Sequence, residues 1–325
     1  MVSVCLLFKN GQLIPKGDDV PMKEINNSWI KLGEYINVED YRLINGLQNQ
    51  CTQKEQITLK LELDYKLGVS SNLTGKGNSH RVNEFMYFDG DELIGYIGIC
   101  DFGGPGSTIE VTGMVAPEYR RQGVFMKLHD LVTAECRHRS AQNILVLCDS
   151  GSVSGQAFIQ VIGAVYKYSE IEMYLQNGFQ EISGKQRCGI TLRKATNADY
   201  GEICMQDAIY FGDEDTSAES AAMPEDEEKR GMTIYLAEKD KQVIGKVNLQ
   251  TSAKVGGIYG LGVLPEYRGK GFGKAILLEA VEKLKEAKSQ KIMLQVATEN
   301  LTALGLYRSC GFHETSVMDY FELNC

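Results

Sequence analysis

No stretch of the 325-residue chain has an apolar run of the length a bilayer demands. The opening segment, MVSVCLLFKNGQ, reaches a lysine and a glycine too early for a secretory signal. These two absences lead us to expect a soluble, cytoplasmic protein with no membrane attachment. Basic charge is also short. Against 34 lysines and arginines stand 43 aspartates and glutamates, for a net charge of -9. The basic footprint of a nucleic-acid binder is missing, so no nucleic-acid partner is expected. An acidic surface does tolerate cationic small molecules or basic peptide ends. Histidine is scarce, with four in the chain, and the nine cysteines include no Cys-x-x-Cys pair. We therefore expect no metal site, and scattered thiols of odd number suit a reducing compartment better than a disulfide framework. The Walker A and Rossmann glycine patterns are absent too.

What the chain does have is itself, twice. Hydrophobic residues make up 43%, enough for two cores of ordinary size. Pro117-Glu118-Tyr119-Arg120 matches Pro265-Glu266-Tyr267-Arg268, and at the same offset Val115 matches Val263 and Gly123 matches Gly271. Upstream, Ile94-Gly95 lies over Ile244-Gly245, and Asp40-Tyr41 over Asp199-Tyr200. A repeat this long is a duplicated domain rather than a solenoid. We expect domains at 1–187 and 188–325, with the boundary near Gly184 to Gly189. Residues 1–30 have no counterpart in the second copy and read as an extension with a hairpin around Asn10-Gly11.

In the second copy, alternation predicts a strand at Ile190–Lys194, a hairpin at Thr233–Glu238 and Val243–Gln250, and a strand at Gly256–Val263. Asn197 or Asp199 is placed to cap a helix reaching Ala208. A further helix over Thr216 to Arg230 is interrupted or started at Pro224. Helical spacing of Ile276, Leu277, Ala280, Val281 and Leu284 predicts a helix from Phe272 to about Ala287. Lys291–Ala297 reads as a buried strand, Leu301–Ser309 as a short helix and Val317–Leu323 as a last strand. The first copy repeats the middle of this order, from Phe85 to Ile162. Strands with interleaved helices make the fold class α/β, with a mixed sheet in each copy.

The repeated turn joins a strand to a helix. A helix N-terminus leaves N–H groups unpartnered and carries partial positive charge. Glycine lets an anion come close to that backbone. In RGKGFGK, Gly269, Gly271 and Gly273 open the backbone, and Arg268, Lys270 and Lys274 add charge. This reads as a pyrophosphate cradle, or as a turn that only tightens the connection.

Val263 to Gly273 resembles the acetyl-CoA motif of the GNAT acyltransferase superfamily, R/Q-x-x-G-x-G/A, through Arg268, Gly271 and Gly273. The stretch 294–312 is similar to that superfamily's following element, through Asn300, Ala303, Tyr307, Gly311 and Phe312. The resemblance covers 189–325 and, more loosely, 30–187. It implies two tandem GNAT (acyl-CoA N-acyltransferase) domains, each a mixed, splayed β-sheet flanked by helices, with acetyl-CoA wedged between two parallel strands. Backbone N–H groups of Gly269, Lys270, Gly271, Phe272 and Gly273 would hold the pyrophosphate beside Arg268, and backbone near Leu261 and Val263 the pantetheine. Asn300 would contact the cosubstrate or cap a helix.

Transfer to an amine needs a neutral amine, donors for the oxyanion and a proton for the leaving thiolate. The resemblance makes Tyr307 the general acid, and a tyrosine of ordinary pKa about 10 can donate at neutral pH. The base is unassigned, with Tyr259 and His313 as guesses. No cysteine is placed as a nucleophile, so direct attack in a ternary complex is expected. The acceptor is a small-molecule amine or a peptide amine. Acidic residues from Asp213 to Glu228 would attract a cationic one, or else form a solvated face.

The first copy departs from the pattern. Phe125 stands at the Gly273 position, Ser152 at Asn300 and Ile159 at Tyr307. Arg120, Arg121, Gln122, Gly123 and Val124 remain beside Val115, so phosphate binding stays open there, while the acid is lost. Ser154-Gly155 reads as a helix cap. Two alternatives stand beside a catalytic second domain. One is a non-catalytic acyl-CoA-binding regulator. The other is an active first domain with Tyr166 or Tyr168 as acid.

Overall fold

The computed structural model describes residues 7–9, 12–14, 21–72, 81–101, 108–139, 141, 143–176, 189–212 and 223–323. Strands β1 (Leu7–Lys9) and β2 (Gln12–Ile14) pair antiparallel, as the expected hairpin requires. Asn10 and Gly11 themselves lie outside the described residues, as do Gly184 to Cys188 of the expected boundary. The first half continues as β3 (Ser28–Gly33), α1 (Val38–Glu55), α2 (Leu63–Asn72), β4 (Glu84–Asp89), β5 (Glu92–Asp101) and β6 (Ile109–Val115). It ends with α3 (Val124–His138), β7 (Ile144–Asp149), α4 (Val153–Ile162) and β8 (Val165–Leu175). The second half repeats that order as β9 (Thr191–Lys194), α5 (Tyr200–Phe211), α6 (Pro224–Lys229), β10 (Met232–Lys239), β11 (Gln242–Gln250) and β12 (Val255–Val263). Then follow α7 (Phe272–Glu286), β13 (Lys291–Ala297), α8 (Leu301–Ser309) and β14 (Phe312–Glu322).

Local chemistry explains most boundaries. The β10–β11 hairpin turns on Asp240 and Lys241, both at positive φ (50° and 67°), the twist a two-residue hairpin needs. Asn37 starts α1 with a capping box closed by Asp40. Helix α7 buries Ile276, Leu277, Ala280, Val281 and Leu284, the face its spacing predicted. Each large apolar side chain buried this way contributes roughly 1.5–3 kcal/mol. The expected cap of the helix after β9 is met at Asp199 by position, without the side-chain bond. The capping box lies one turn earlier, at Thr196. Thr196 opens a 3-10 turn at Asn197–Asp199, and Asp199 closes the box by accepting from the Thr196 N–H at 2.8 Å. Arg193 grips the Asp199 carboxylate through both oxygens, at 2.9 and 2.8 Å.

The halves do not form two separate sheets. Twelve described strands make one, in the order β3-β4-β5-β6-β7-β14-β8-β13-β12-β11-β10-β9. Within each half, two parallel strands pair only at their beginnings. β6 pairs β7 from Ile109↔Ile144 to Val111↔Val146, and β12 pairs β13 from Val255↔Lys291 to Ile258↔Leu294. Beyond those rungs they part, so the sheet splays twice. Each half is then completed by the other half's last strand. β14 pairs β7, β8 pairs β13, and β8 and β14 pair each other antiparallel down the middle. Side chains from both halves pack there. Tyr320 of β14 is fully buried (0%), and its ring stacks on Tyr168 of β8 at 4.4 Å. The Tyr320 hydroxyl accepts from Lys60 at 2.8 Å and donates to Glu170. Strand β14 starts earlier than the expected Val317, because Phe312 to Ser316 find their partners on β8, an element that the sequence reading left unplaced. Residues 28–30, expected in an unmatched extension, begin β3, which pairs β4 as β9 pairs β10. Among the described residues no helix is long and apolar enough to cross a membrane.

Because the central strands are shared, the halves should unfold together. The single tryptophan, Trp29, lies on β3 in the first half. In urea, its fluorescence and the far-ultraviolet circular dichroism of the whole chain should give coincident transitions. Tyr320→Ala should shift both to lower urea by the same amount, at a cost of about 3–5 kcal/mol. Two resolved transitions would sink this account of the sheet.

Candidate active site

The two glycine turns have the same backbone. In each, a 3-10 turn (Pro117–Tyr119, Pro265–Tyr267) leads to an arginine that bonds back onto the preceding strand. Arg120 Nε donates to the Val115 carbonyl at 3.0 Å, and Arg268 Nε to the Val263 carbonyl at 2.8 Å. Positive φ follows at Arg121 (59°) and Gly123 (79°), and at Gly269 (74°) and Gly271 (83°). A Cβ at Gly269 or Gly123 would meet nothing within 4 Å, so backbone conformation rather than crowding favours glycine there. The first bond of α7 runs from Ala275 N to Gly271 O at 3.1 Å. The N–H groups of Phe272, Gly273 and Lys274 therefore have no intrahelical partner, an arrangement suited to an anion. Val124, Phe125 and Met126 stand likewise at the start of α3, where Lys127 N bonds Gly123 O.

Side chains make the two clefts different. In the first, the Phe125 ring packs edge-on against Phe158 at 4.6 Å and reaches within 3.0 Å of the Cβ position of Gly113 on β6. Glu55, the last residue of α1, lies across the parted strands. It pairs with Arg120 and accepts from Ser152 Oγ at 3.4 Å and Ser154 Oγ at 3.2 Å. The segment around Lys23 lies on the turn, with its N–H on the Glu118 carbonyl at 3.0 Å and its carbonyl accepting from Gln122 at 2.8 Å. In the second cleft the Gly273 position is open. A Cβ there would meet only Leu306 at 3.5 Å and Val263 at 3.8 Å. Arg268 is exposed and, among the described residues, has no carboxylate partner. Lys270 folds back to donate to the Glu266 carbonyl at 2.8 Å. Leu261 and Val263 are half-buried on the α7 core.

The element after the split behaves as the offset implies. Asn300 caps α8 by accepting from Ala303 N at 3.1 Å, and Ser152 caps α4 by accepting from Gly155 N at 3.1 Å. The cap of α4 is thus Ser152, not Ser154, whose hydroxyl is turned to Glu55. Tyr307 is buried on α8 beside Phe312, with ring centres 6.3 Å apart. Burial pushes its hydroxyl up to about 12, and among the described residues that hydroxyl makes no hydrogen bond. The corresponding Ile159 is core. Tyr166 is exposed with its hydroxyl on Ser169 at 2.9 Å, and Tyr168 is spent in the central stack.

On the other face of the second half lies a polar group that sequence reading missed. Lys246 of β11 is 1% exposed and pairs with Asp207 of α5 at 2.7 Å. Gly262 sits under the Tyr210 ring so closely that a Cβ would fall 2.1 Å from it. Gly260, at φ 54°, falls at the β11–β12 register shift, just beyond the last rung that β12 shares with β13. A lysine at the middle of an apolar strand, VIGKVNL, was the available signal.

The central seam holds a cavity of about 300 Å³. Tyr259 of β12, Gln295 of β13, Glu170, Glu172 and Tyr174 of β8, and Glu62 from the segment between α1 and α2 line it. Of the two residues guessed as base, Tyr259 is here and His313 is on the exposed start of β14. The acidic stretch near α6 is only partly described, and Asp213, Glu214, Asp215 and Glu219 lie outside the described residues. The rest is locally occupied. Asp226 pairs with Lys229, Glu227 with Arg230 and Glu228 with Lys194, and Glu225 accepts from Asn197.

The model of the acetyltransferase (GNAT) family matches residues 50–163 and again residues 201–312. An N-alpha-acetyltransferase of Sulfurisphaera tokodaii is 29% identical over 101 residues, a match covering 27% of this chain and 60% of that protein. The chain thus spans well under the full length of that relative. A mycothiol acetyltransferase of Kocuria rhizophila is 26% identical over 251 residues, covering 70% of this chain and 80% of that protein. The solved structure of a GCN5-related N-acetyltransferase from Sphaerobacter thermophilus overlays with a TM-score of 0.69 at 18% identity, over 92% of this chain and 96% of that one. At that identity the likeness speaks to the fold.

Glu55→Ala takes the carboxylate from Arg120 and from both serines. It should lower the urea midpoint by the equivalent of about 1–3 kcal/mol. Gly273→Ala, where the added Cβ has room, should leave the midpoint nearly unchanged. A larger loss from Gly273→Ala than from Glu55→Ala would contradict this geometry.

Proposed function

The chain belongs to the acetyltransferase (GNAT) family as two tandem copies, and on that premise we propose that it is an acetyl-CoA-dependent N-acetyltransferase. Its second half, 188–325, carries the chemistry and moves an acetyl group to a primary amine by direct attack in a ternary complex. The observation that carries this reading is the contrast between the clefts. The first is filled by Phe125 and bridged by Glu55, and the second has an open Gly273 position and a tyrosine whose hydroxyl makes no hydrogen bond among the described residues.

The residues of the second cleft fit acetyl-CoA. Gly269 and Gly271 hold positive φ at the turn, and a Cβ at Gly269 would meet nothing within 4 Å. Arg268, Lys270 and the N–H groups from Gly269 to Gly273 would hold the pyrophosphate. The unpaired edge of β12 at Leu261 to Val263 would hold the pantetheine as an added strand is held. Asn300 fixes the helix start that presents Tyr307. Acetyl-CoA supplies the acetyl group as a thioester. Tyr307 supplies the proton that the departing sulfur needs. Burial keeps that proton on oxygen up to about pH 12, so the acid is in its working form across the neutral range.

Tyr307→Phe should lower kcat about 10²- to 10⁴-fold and leave acetyl-CoA affinity, measured by calorimetry, within about twofold. The intact chain should bind one acetyl-CoA, and Gly271→Val should abolish that binding. Unchanged kcat in Tyr307→Phe, or binding that survives Gly271→Val and is lost on Gly123→Val, would move the centre to the first half.

A further inference from the structure

We propose that the first half completes the acceptor site of the second, so that a small cationic primary amine sits in the seam cavity and gives its proton to Glu62. This rests on the second half being the acetyltransferase centre, and it names the base and acceptor class of that centre.

The cavity lies where the second sheet begins to part. Ile258↔Leu294 is the last paired rung of β12 and β13, and Tyr259 and Gln295, the next residue on each strand, both line the cavity. Glu172 is the register partner of Gln295, one strand further in. An acceptor held here lies beside the split assigned to the thioester arm. The opposite wall belongs to the first half. The segment from Thr58 to Asp64 crosses the seam and is pinned along its length. Thr58 N and Oγ1 donate to Asp149 at 2.8 and 2.9 Å, and Thr58 Oγ1 lies 3.1 Å from the Ser316 hydroxyl. Lys60 pairs with Glu110 at 3.3 Å and donates to the Tyr320 hydroxyl at 2.8 Å.

Glu62 sits on this pinned segment at φ 52°, a left-handed conformation that a side-chain-bearing residue adopts at a cost. Glu62 lines the cavity, and among the described residues no hydrogen bond or ion pair holds its carboxylate. Burial raises its pKa. Lys60 and Lys66 oppose that rise, while Glu172 and Asp64 add to it, and the balance is upward. Glu172 is also raised by burial, against hydroxyl contacts from Ser316 and Thr315. Tyr259 is raised by burial and then by Glu62, which puts Glu62 within electrostatic reach of that ring at the split.

Charge then selects the occupant. Lys60 is committed to Glu110, Glu170 and Tyr320. Lys60 and Lys254 are the basic residues of the lining, against Glu62, Asp64, Glu170 and Glu172, and Glu172 also accepts from Thr315 and Ser316, so the lining carries more acidic than basic residues and favours a cation. About 300 Å³ is at the small end of ligand sites, which suits an amino sugar or a diamine better than a length of peptide. The chemistry balances. The bound ammonium gives one proton to Glu62, and the freed nitrogen pair bonds to the acetyl carbon. The carbon–sulfur bond breaks with its electron pair on sulfur, which takes the Tyr307 proton. The new amide nitrogen sheds its second proton, which restores Tyr307 through solvent. Glu62 then releases its proton to solvent.

The test uses the full chain and thiol release from acetyl-CoA, with glucosamine, putrescine and alaninamide as acceptor probes. We expect turnover of glucosamine or putrescine. Glu62→Gln should cut kcat/KM for that amine by about 100-fold or more and remove the acidic limb of its pH profile. That limb should lie above the ordinary glutamate value of about 4.3, because activity rises as the raised carboxyl ionises. Glu62→Asp should restore part of the rate. Acetyl-CoA affinity should be unchanged in both variants, and neither should melt below the wild type, since the buried carboxylate whose pKa is raised does not stabilise the fold at neutral pH. Full activity in Glu62→Gln, or an unmoved acidic limb, would overturn the proposal. So would a wild-type chain that binds acetyl-CoA and turns over alaninamide alone, or none of the three. A wild-type chain that binds no acetyl-CoA overturns the acetyltransferase reading beneath it.

Discussion

The antiparallel pairing of β8 with β14 is the constraint on which the rest depends. Each strand is the last of its own half, and each completes the sheet of the other. Backbone hydrogen bonding leaves little freedom in such a pairing, because a slip of one residue would turn every side chain to the wrong face. With the register set at Tyr320↔Tyr168 and Glu172↔Gln295, the two stacked rings close the seam and the carboxylates of β8 face the cavity. The segment of Thr58 to Asp64 is laid over that seam by bonds to Asp149, Ser316 and Tyr320, residues from both halves.

Against this shared frame, the two clefts separate backbone from side chain. Their turns agree in positive φ at two positions and in the arginine bonded to the preceding strand. They differ in whether anything fills the space. One aromatic ring and one carboxylate occupy the first cleft, and both come from residues that the repeat alone would permit to be small or neutral. A fold can keep an anion-ready helix end long after its neighbourhood has changed, because the end is set by glycine conformation and not by the ligand.

The elements of the second half were legible because each has its own signal. Glycine marked the turn, helical spacing marked α7, and alternation marked the β10–β11 hairpin. The correspondence of Asn300 with Ser152 was legible as well, since both cap a helix in the structure. What was not legible depends on pairing between distant segments. Val165 to Leu175 alternates like any half-buried strand, and nothing in it names β13 and β14 as neighbours. Glu62 and Lys246 were missed for the same reason. A carboxylate in a connecting segment, or a lysine within an apolar strand, acquires meaning only from what the sheet brings against it. Phe125 was visible as a departure, but its packing on Phe158 was not.

The crossed pairing at the centre also has the symmetry of a strand-swapped homodimer written into one chain. A single ancestral copy would present its terminal strand to a twin and accept the twin's in return. Joining the copies covalently makes that exchange intramolecular, at a high effective concentration whatever the level of expression. It also breaks the equivalence of the two sites. In a homodimer every substitution appears on both sides of the axis. In a fused chain, one side can fill its cleft with Phe125 and Glu55 while the other keeps Gly273 open.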